Sequence, residues 1–174
     1  MSQRCGLLII FTGDGKGKTT AAVGLAVRAL GSGLRTSIVQ FVKQRETGEH
    51  RALARLGDGI EILRLGTGFV CGAPPPKEAV AAAGKALETA RDRLVGGRFD
   101  LVVLDEIFSA LAAGLLAERD ILDLIDLRPA QVHLVMTGRG APPSAVARAD
   151  LVTEMRCVRH PCDRGVQAQP GIEL

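Results

Sequence analysis

Leu7-Leu8-Ile9-Ile10-Phe11-Thr12-Gly13-Asp14-Gly15-Lys16-Gly17-Lys18-Thr19-Thr20 is the stretch from which the rest of the chain is read. The unbroken apolar run Leu7 to Phe11 predicts a strand over Leu7 to Thr12, buried on both faces as in a parallel sheet covered by helices. The Ala-rich segment Thr19 to Gly31 predicts a helix. Between them, Gly13, Gly15 and Gly17 let the backbone curve so that successive N–H groups point inward as an anion nest. The helix start aims its positive dipole end at the same charge. Lys18 adds a point charge for phosphate oxygens, and the Thr19 hydroxyl is placed to ligate Mg²⁺. Strand, glycine-rich loop, Gly-Lys-Thr and helix, in that order, predict a loop for the triphosphate of a nucleotide, ATP with Mg²⁺. The standard pattern puts glycine five residues before Gly17, and that position is Thr12. Counted from Gly13, the loop is one residue short.

Further strands are predicted at Thr36 to Val42, Ile60 to Leu65, Leu101 to Leu104, Val132 to Thr137 and Leu151 to Glu154. Helices are predicted at Lys77 to Val95, Ile107 to Ala117, Arg119 to Ile125 and Ser144 to Ala149. Strands alternating with helices imply right-handed crossovers in a three-layer α/β sandwich with a mostly parallel sheet, a P-loop nucleotide-binding fold. Gln44 to His50 reads as a charged insert, and Gly66 to Lys77 as an extended Gly- and Pro-rich spacer. Residues 1–174 read as one domain with an irregular tail over 156–174. Phe99-Asp100-Leu101-Val102-Val103-Leu104-Asp105-Glu106 ends an apolar strand in two carboxylates, the usual Mg²⁺-holding partner of a phosphate loop. An acidic pair at that place also serves to decorate a helix N-terminus.

Composition narrows the function classes. A length of 174 residues suits one core. Net charge of +3 is too small for a nucleic-acid footprint, and the absence of Trp and Tyr leaves few stacking platforms for single strands. No apolar run reaches the roughly 20 residues that span a bilayer. The first residues, Met1-Ser2-Gln3-Arg4-Cys5, lack a signal-peptide cleavage pattern, so the chain reads as cytoplasmic. Cys5, Cys71, Cys157 and Cys162 make no CxxC pair and read as reduced thiols rather than metal ligands.

Several ordered motifs resemble those of the ATP:corrinoid adenosyltransferases, a P-loop family of RecA-like fold. They are Gly13 to Thr20 with the helix Ala21 to Ala29, Val39-Gln40-Phe41-Val42-Lys43, Thr67-Gly68-Phe69 and Leu104-Asp105-Glu106. The series continues through Thr137-Gly138-Arg139-Gly140, Ala149 to Met155 and the tail His160 to Ile172. The short loop is itself a mark of that family. The resemblance implies transfer of the 5′-deoxyadenosyl group of ATP to the cobalt(I) of a reduced corrinoid, with release of the triphosphate. It implies that Gly13, Asp14, Gly15, Lys16, Gly17, Lys18, Thr19 and Thr20 hold the triphosphate, and that Arg28, Arg139 and His160 contact the nucleotide. Thr19 and Glu106 would serve Mg²⁺, with Asp105 the alternative acid. Arg28 reads equally well as a surface helix residue, and His160 as a tail hydrogen-bonder.

In the family an aromatic pair packs beneath the corrin and displaces the lower cobalt ligand, which makes cobalt(II) easier to reduce. Phe69 matches the first aromatic, and Cys71 stands where the second, typically Trp, is expected. Without the family context Phe69 reads as a core residue. Family members often carry a helical extension before the first strand, where this chain has about six residues. The resemblance also implies an electron-donating flavoprotein and a homodimer. Two other functions fit the motifs: a different P-loop enzyme such as a kinase or ATPase, and a protein that binds ATP or corrinoid without turnover.

Overall fold

A computed structural model describes residues 5–70, 72 and 74–173. Its centre is a six-stranded sheet of β1 (Leu8–Thr12), β2 (Thr36–Gln40), β3 (Ile60–Arg64), β4 (Leu101–Asp105), β5 (His133–Thr137) and β6 (Leu151–Glu154). The spatial order is β3-β2-β4-β5-β1-β6, and every pairing is parallel. The expected mostly parallel sheet is therefore parallel throughout its described residues.

The period-two alternation of side chains sorts the apolar strands onto two faces. Leu8, Ile10, Val39, Val102, Leu104, Leu134 and Met136 enter one core, with α3 (Lys77–Val95), α4 (Ile107–Ala112), α5 (Glu118–Leu127) and α6 (Pro143–Val146). Ile9, Ile38, Leu101, Val103 and Val135 enter the other, covered by α1 (Lys18–Gly31) and by Leu53 of α2 (Gly48–Leu53). Helix α1 turns Ala22, Ala26 and Ala29 toward the sheet, and α3 buries Ala79, Ala83, Ala86, Ala90 and Leu94. Both stripes follow the three-and-four spacing of a helix face, and their small side chains let the helices approach closely.

Several expected boundaries move. Helix α2 occupies a stretch expected as a charged insert. It is less than two turns long, so no periodicity announces it; Thr47 precedes it in extended conformation and His50 reaches back to the Thr47 N–H. Strand β2 stops at Gln40, although the Phe41 N–H still donates to the Asp105 carbonyl and Phe41 and Val42 remain buried. The helix expected to run to Ala117 ends at Ala112, where the chain turns through Gly114 at φ 70°. Strand β6, an edge strand, is exposed along its length rather than buried on both faces. The tail carries a 3₁₀ turn, Pro161–Arg164. Cys71, which stands in place of the expected second aromatic, lies outside the described residues. Among the described residues no helix is long and apolar enough to cross a membrane.

Candidate active site

All strands being parallel, their C-terminal ends share one edge, and ligands of such sheets bind outside that edge. The glycine-rich loop leaves β1 there and is wedged against the exit of β6. The Met155 N–H donates to the Thr12 carbonyl at 2.8 Å, and the Gly15 N–H donates to the Met155 carbonyl at 2.7 Å. Gly13 has φ 92°, and a Cβ on it would stand 2.4 Å from the Met155 oxygen. A Cβ on Gly15 would stand 2.7 Å from the Arg156 carbonyl carbon. The loop sequence thus answers both to backbone conformation and to a strand arriving from 140 residues away. Thr12, where the standard pattern has glycine, accepts a hydrogen bond on its hydroxyl from the Ala141 N–H at 3.2 Å and so ties the loop to the segment after β5.

Lys18, at the first turn of α1, is 6% exposed. Its Nζ donates to the Gly13 carbonyl at 2.6 Å and to the Gly15 carbonyl at 2.7 Å. Burial lowers its pKa, while the carboxylate of Glu106 acts in the opposite sense, the charge of Arg139 lowers it further, and Asp14 and Asp105 raise it. Four of the predicted charged residues thus lie within electrostatic reach of the lysine.

Asp105 is 1% exposed and hydrogen-bonded through both oxygens, with acceptor capacity left on Oδ2. Its Oδ1 accepts from the Thr19 hydroxyl at 2.9 Å and from the Thr137 hydroxyl at 2.8 Å, and its Oδ2 accepts from Gln40 Nε2 at 2.9 Å. Thr137 Oγ1 also accepts from the Glu106 N–H at 2.9 Å. Glu106 has φ 60°, the sole non-glycine residue at positive φ among the described ones, and its carboxylate accepts from the Ser109 hydroxyl. Non-glycine backbone strain of this kind costs about 1–3 kcal/mol and gathers at functional sites. Of the two acids, Asp105 therefore meets the Thr19 hydroxyl directly, and Glu106 turns toward Ser109 and the field around Lys18.

Arg139 is exposed on the turn after β5, its N–H 3.4 Å from Ser109 Oγ. Asp14 and Thr20 are exposed on the loop and first turn. Lys16 pairs with Glu173 of the tail at 3.1 Å. Arg28 is not brought to the loop within this chain: it stands ten residues beyond Lys18 on α1, about 15 Å along the axis. There it lines an apolar cleft of ≈ 230 Å³ with Leu7, Ile9, Leu34 and His133. His160 precedes the 3₁₀ turn, where its Nδ1 accepts from the Cys162 N–H at 3.1 Å.

Phe69 follows β3 at the same edge and is 83% exposed, so it is no core residue. It borders a cleft of ≈ 480 Å³ with Gln44, Thr67, Val70, Pro76, Glu78 and Ala79. The residues not foreseen are Thr137, Gln40, Ser109, His50 and Met155. Thr137, Gln40 and Met155 stand inside the resembling motifs without a role assigned there, and Thr137 and Gln40 end strands next to Asp105, a signal available once the sheet order is known; Ser109 and His50 carry none.

A family model for the ATP:corrinoid adenosyltransferases BtuR/CobO/CobP matches residues 4–174. The chain belongs to the ATP:corrinoid adenosyltransferase family. It is 39% identical over 170 residues to the corrinoid adenosyltransferase of Pseudomonas aeruginosa, covering 97% of this chain and 84% of that one. The corrinoid adenosyltransferase of Escherichia coli K12 is 37% identical over 168 residues, covering 97% and 85%. Corrinoid adenosyltransferase CobA of Salmonella typhimurium is 36% identical over 168 residues with the same coverage. Among solved structures, the flagellar accessory protein FlaH of Methanocaldococcus jannaschii superimposes with a TM-score of 0.56 at 13% identity, covering 87% of this chain and 71% of that one. That likeness concerns the fold alone.

Proposed function

We propose that this adenosyltransferase moves the 5′-deoxyadenosyl group of ATP onto the cobalt(I) of a reduced corrinoid. The cobalt electron pair forms the bond to C5′, the C5′–O bond breaks, and its electron pair leaves with the triphosphate. No proton changes place in that displacement, which agrees with a site built of phosphate binders rather than of a base and nucleophile. What the protein supplies is position and charge. Lys18 leaves the loop carbonyls for the triphosphate, the loop amides and the start of α1 add donors, and Asp14 and Arg139 flank the nucleotide.

The residues at hand suit Mg²⁺. Asp105 and Thr19 present hard oxygen donors beside the loop. Mg²⁺ is characteristically held in this way, by one or two carboxylates completed by substrate phosphates. Thr19 and Asp105 would hold it, with Glu106 in support; when bound, it supplies positive charge to the departing triphosphate.

The observation that carries the corrinoid half is the exposure of Phe69 beside a cleft on the edge that bears the phosphate loop. A large aromatic ring held in water does nothing for the fold, and it suits the broad apolar face of a corrin. Phe69 packs beneath that ring and weakens the lower cobalt ligand. A flavoprotein electron donor, a homodimer and a cytoplasmic site of action complete the proposal; Arg28, Lys16 and His160 stand outside its essential set. Anaerobic incubation with ATP, Mg²⁺ and chemically reduced cobalamin tests it. The absorbance change of cobalt–carbon bond formation is expected, and an unchanged cobalt(I) spectrum contradicts it.

A further inference from the structure

Behind Asp105 runs a buried chain of hydrogen bonds whose direction is fixed from both ends. The Thr47 N–H, which can only donate, meets His50 Nδ1 at 3.1 Å, and the Thr47 hydroxyl lies 2.8 Å from the same nitrogen. Nδ1 is therefore the unprotonated nitrogen, and Nε2 carries the proton. Nε2 stands 2.7 Å from Gln40 Oε1 and donates to it. That fixes the amide, so Gln40 Nε2 donates to Asp105 Oδ2 at 2.9 Å. Asp105 Oδ1 is left to face Thr19 and Thr137. His50, Gln40 and Asp105 are all buried. Burial pushes the ring of His50 below the usual histidine range, aided by the charge of Arg64, which agrees with a neutral imidazole.

Each end of this series of hydrogen bonds also has partners of its own. Thr47 and His50 close the start of α2, and Asp105 already has two hydroxyl partners on Oδ1. Gln40 joins the two, so the carboxylate rotamer is set from outside the phosphate loop. Partners one step removed from a metal-binding group fix its orientation in this way.

Resting on the Mg·ATP site proposed above, we propose that His50 and Gln40 are positioning residues that hold the Asp105 carboxylate in the orientation Mg·ATP requires. They touch neither substrate nor metal. Binding of ATP to the full-length chain, measured by calorimetry with Mg²⁺ and again with the metal chelated, tests this. His50→Ala and Gln40→Ala are each expected to cut the Mg²⁺-dependent gain in ATP affinity by about tenfold to a hundredfold, with metal-free affinity changed by no more than about twofold. The double variant is expected to be no worse than the worse single one, because the links act in series. Equal losses with and without Mg²⁺, or an unaltered Mg²⁺ gain, would overturn the assignment. If the wild-type chain itself fails to bind ATP, the nucleotide site falls and this inference with it. Should the alanine variants not fold, ¹⁵N resonances of the histidine rings in the wild-type protein decide. The His50 proton is expected on Nε2, and its resonance is expected to move when Mg²⁺ is added to the ATP-bound protein. A proton on Nδ1, or a resonance indifferent to Mg²⁺, would overturn the assignment.

Discussion

Lys18 donates to two loop carbonyls, at 2.6 and 2.7 Å, and so ties the loop to the start of α1. In the function proposed above, triphosphate oxygens compete for the same donors. A hydrogen bond to a charged group is worth about 1.5–3 kcal/mol. Lys18→Ala should therefore weaken ATP binding by roughly tenfold to 150-fold, read by calorimetry, and abolish turnover; unchanged affinity with full turnover would remove the lysine from the site. Phe69 makes the opposite case. Being 83% exposed, it contributes little to the fold, and Phe69→Ala should alter stability by no more than about 0.5 kcal/mol in a denaturant titration. The same variant should slow adenosylation begun from cob(II)alamin with a weak reductant, and much less so from preformed cob(I)alamin. Equal slowing from both would place Phe69 in the displacement itself. Exposure is what the sequence alone could not disclose here, since an aromatic just after a strand reads as core.

At the scale of elements, the strand–loop–helix unit at Leu8–Gly31 was legible because its signals are local: an apolar run, three glycines and Gly-Lys-Thr. Its close packing on β6 was not, because Met155 and Arg156 are remote in sequence. Helix α2 was missed for a different reason: six residues show too little of a 3.6-residue period, and a cluster of charges hid the cap. Arg28 could have been placed better, since a residue at the far end of a 14-residue helix stands away from the loop that opens it. The α2 segment is tied down by Lys43 and Glu49, which are hydrogen-bonded and half-buried. Burial opposes ionisation of Glu49, but hydrogen bonds from Lys43, its own backbone N–H and Thr47, with the Lys43 charge, outweigh it and bring its pKa from 4.5 down to about 2. A depressed carboxylate pKa adds stability that is fully present above about 4.5 and fades as pH falls toward 2. Glu49→Gln should lower the melting temperature by about 2–4 °C at neutral pH, the effect of about 1 kcal/mol in a domain of this size. The two proteins should converge as pH approaches 2; a constant gap across that window would show that the carboxylate charge plays no part.

For the whole molecule, six parallel strands bring Thr12, Gln40, Asp105, Thr137 and the segment leading to Phe69 to one edge, so residues scattered from Thr12 to Thr137 become neighbours along it. The fold class and the phosphate loop could be read beforehand, because alternating strands and helices leave few topologies open. The different settings of Asp105 and Glu106 could not, because they depend on the strained backbone at Glu106 and on the hydroxyls of Thr19 and Thr137. In the function proposed above, edge, loop and exposed aromatic serve one displacement at C5′ in which the whole triphosphate departs. Chromatography of the phosphate products from an anaerobic reaction with Mg·ATP and cob(I)alamin reads that step directly. One inorganic triphosphate for each cobalt–carbon bond formed is the expected result. Release of ADP or orthophosphate in place of triphosphate would contradict it and return the chain to ordinary phosphoryl chemistry.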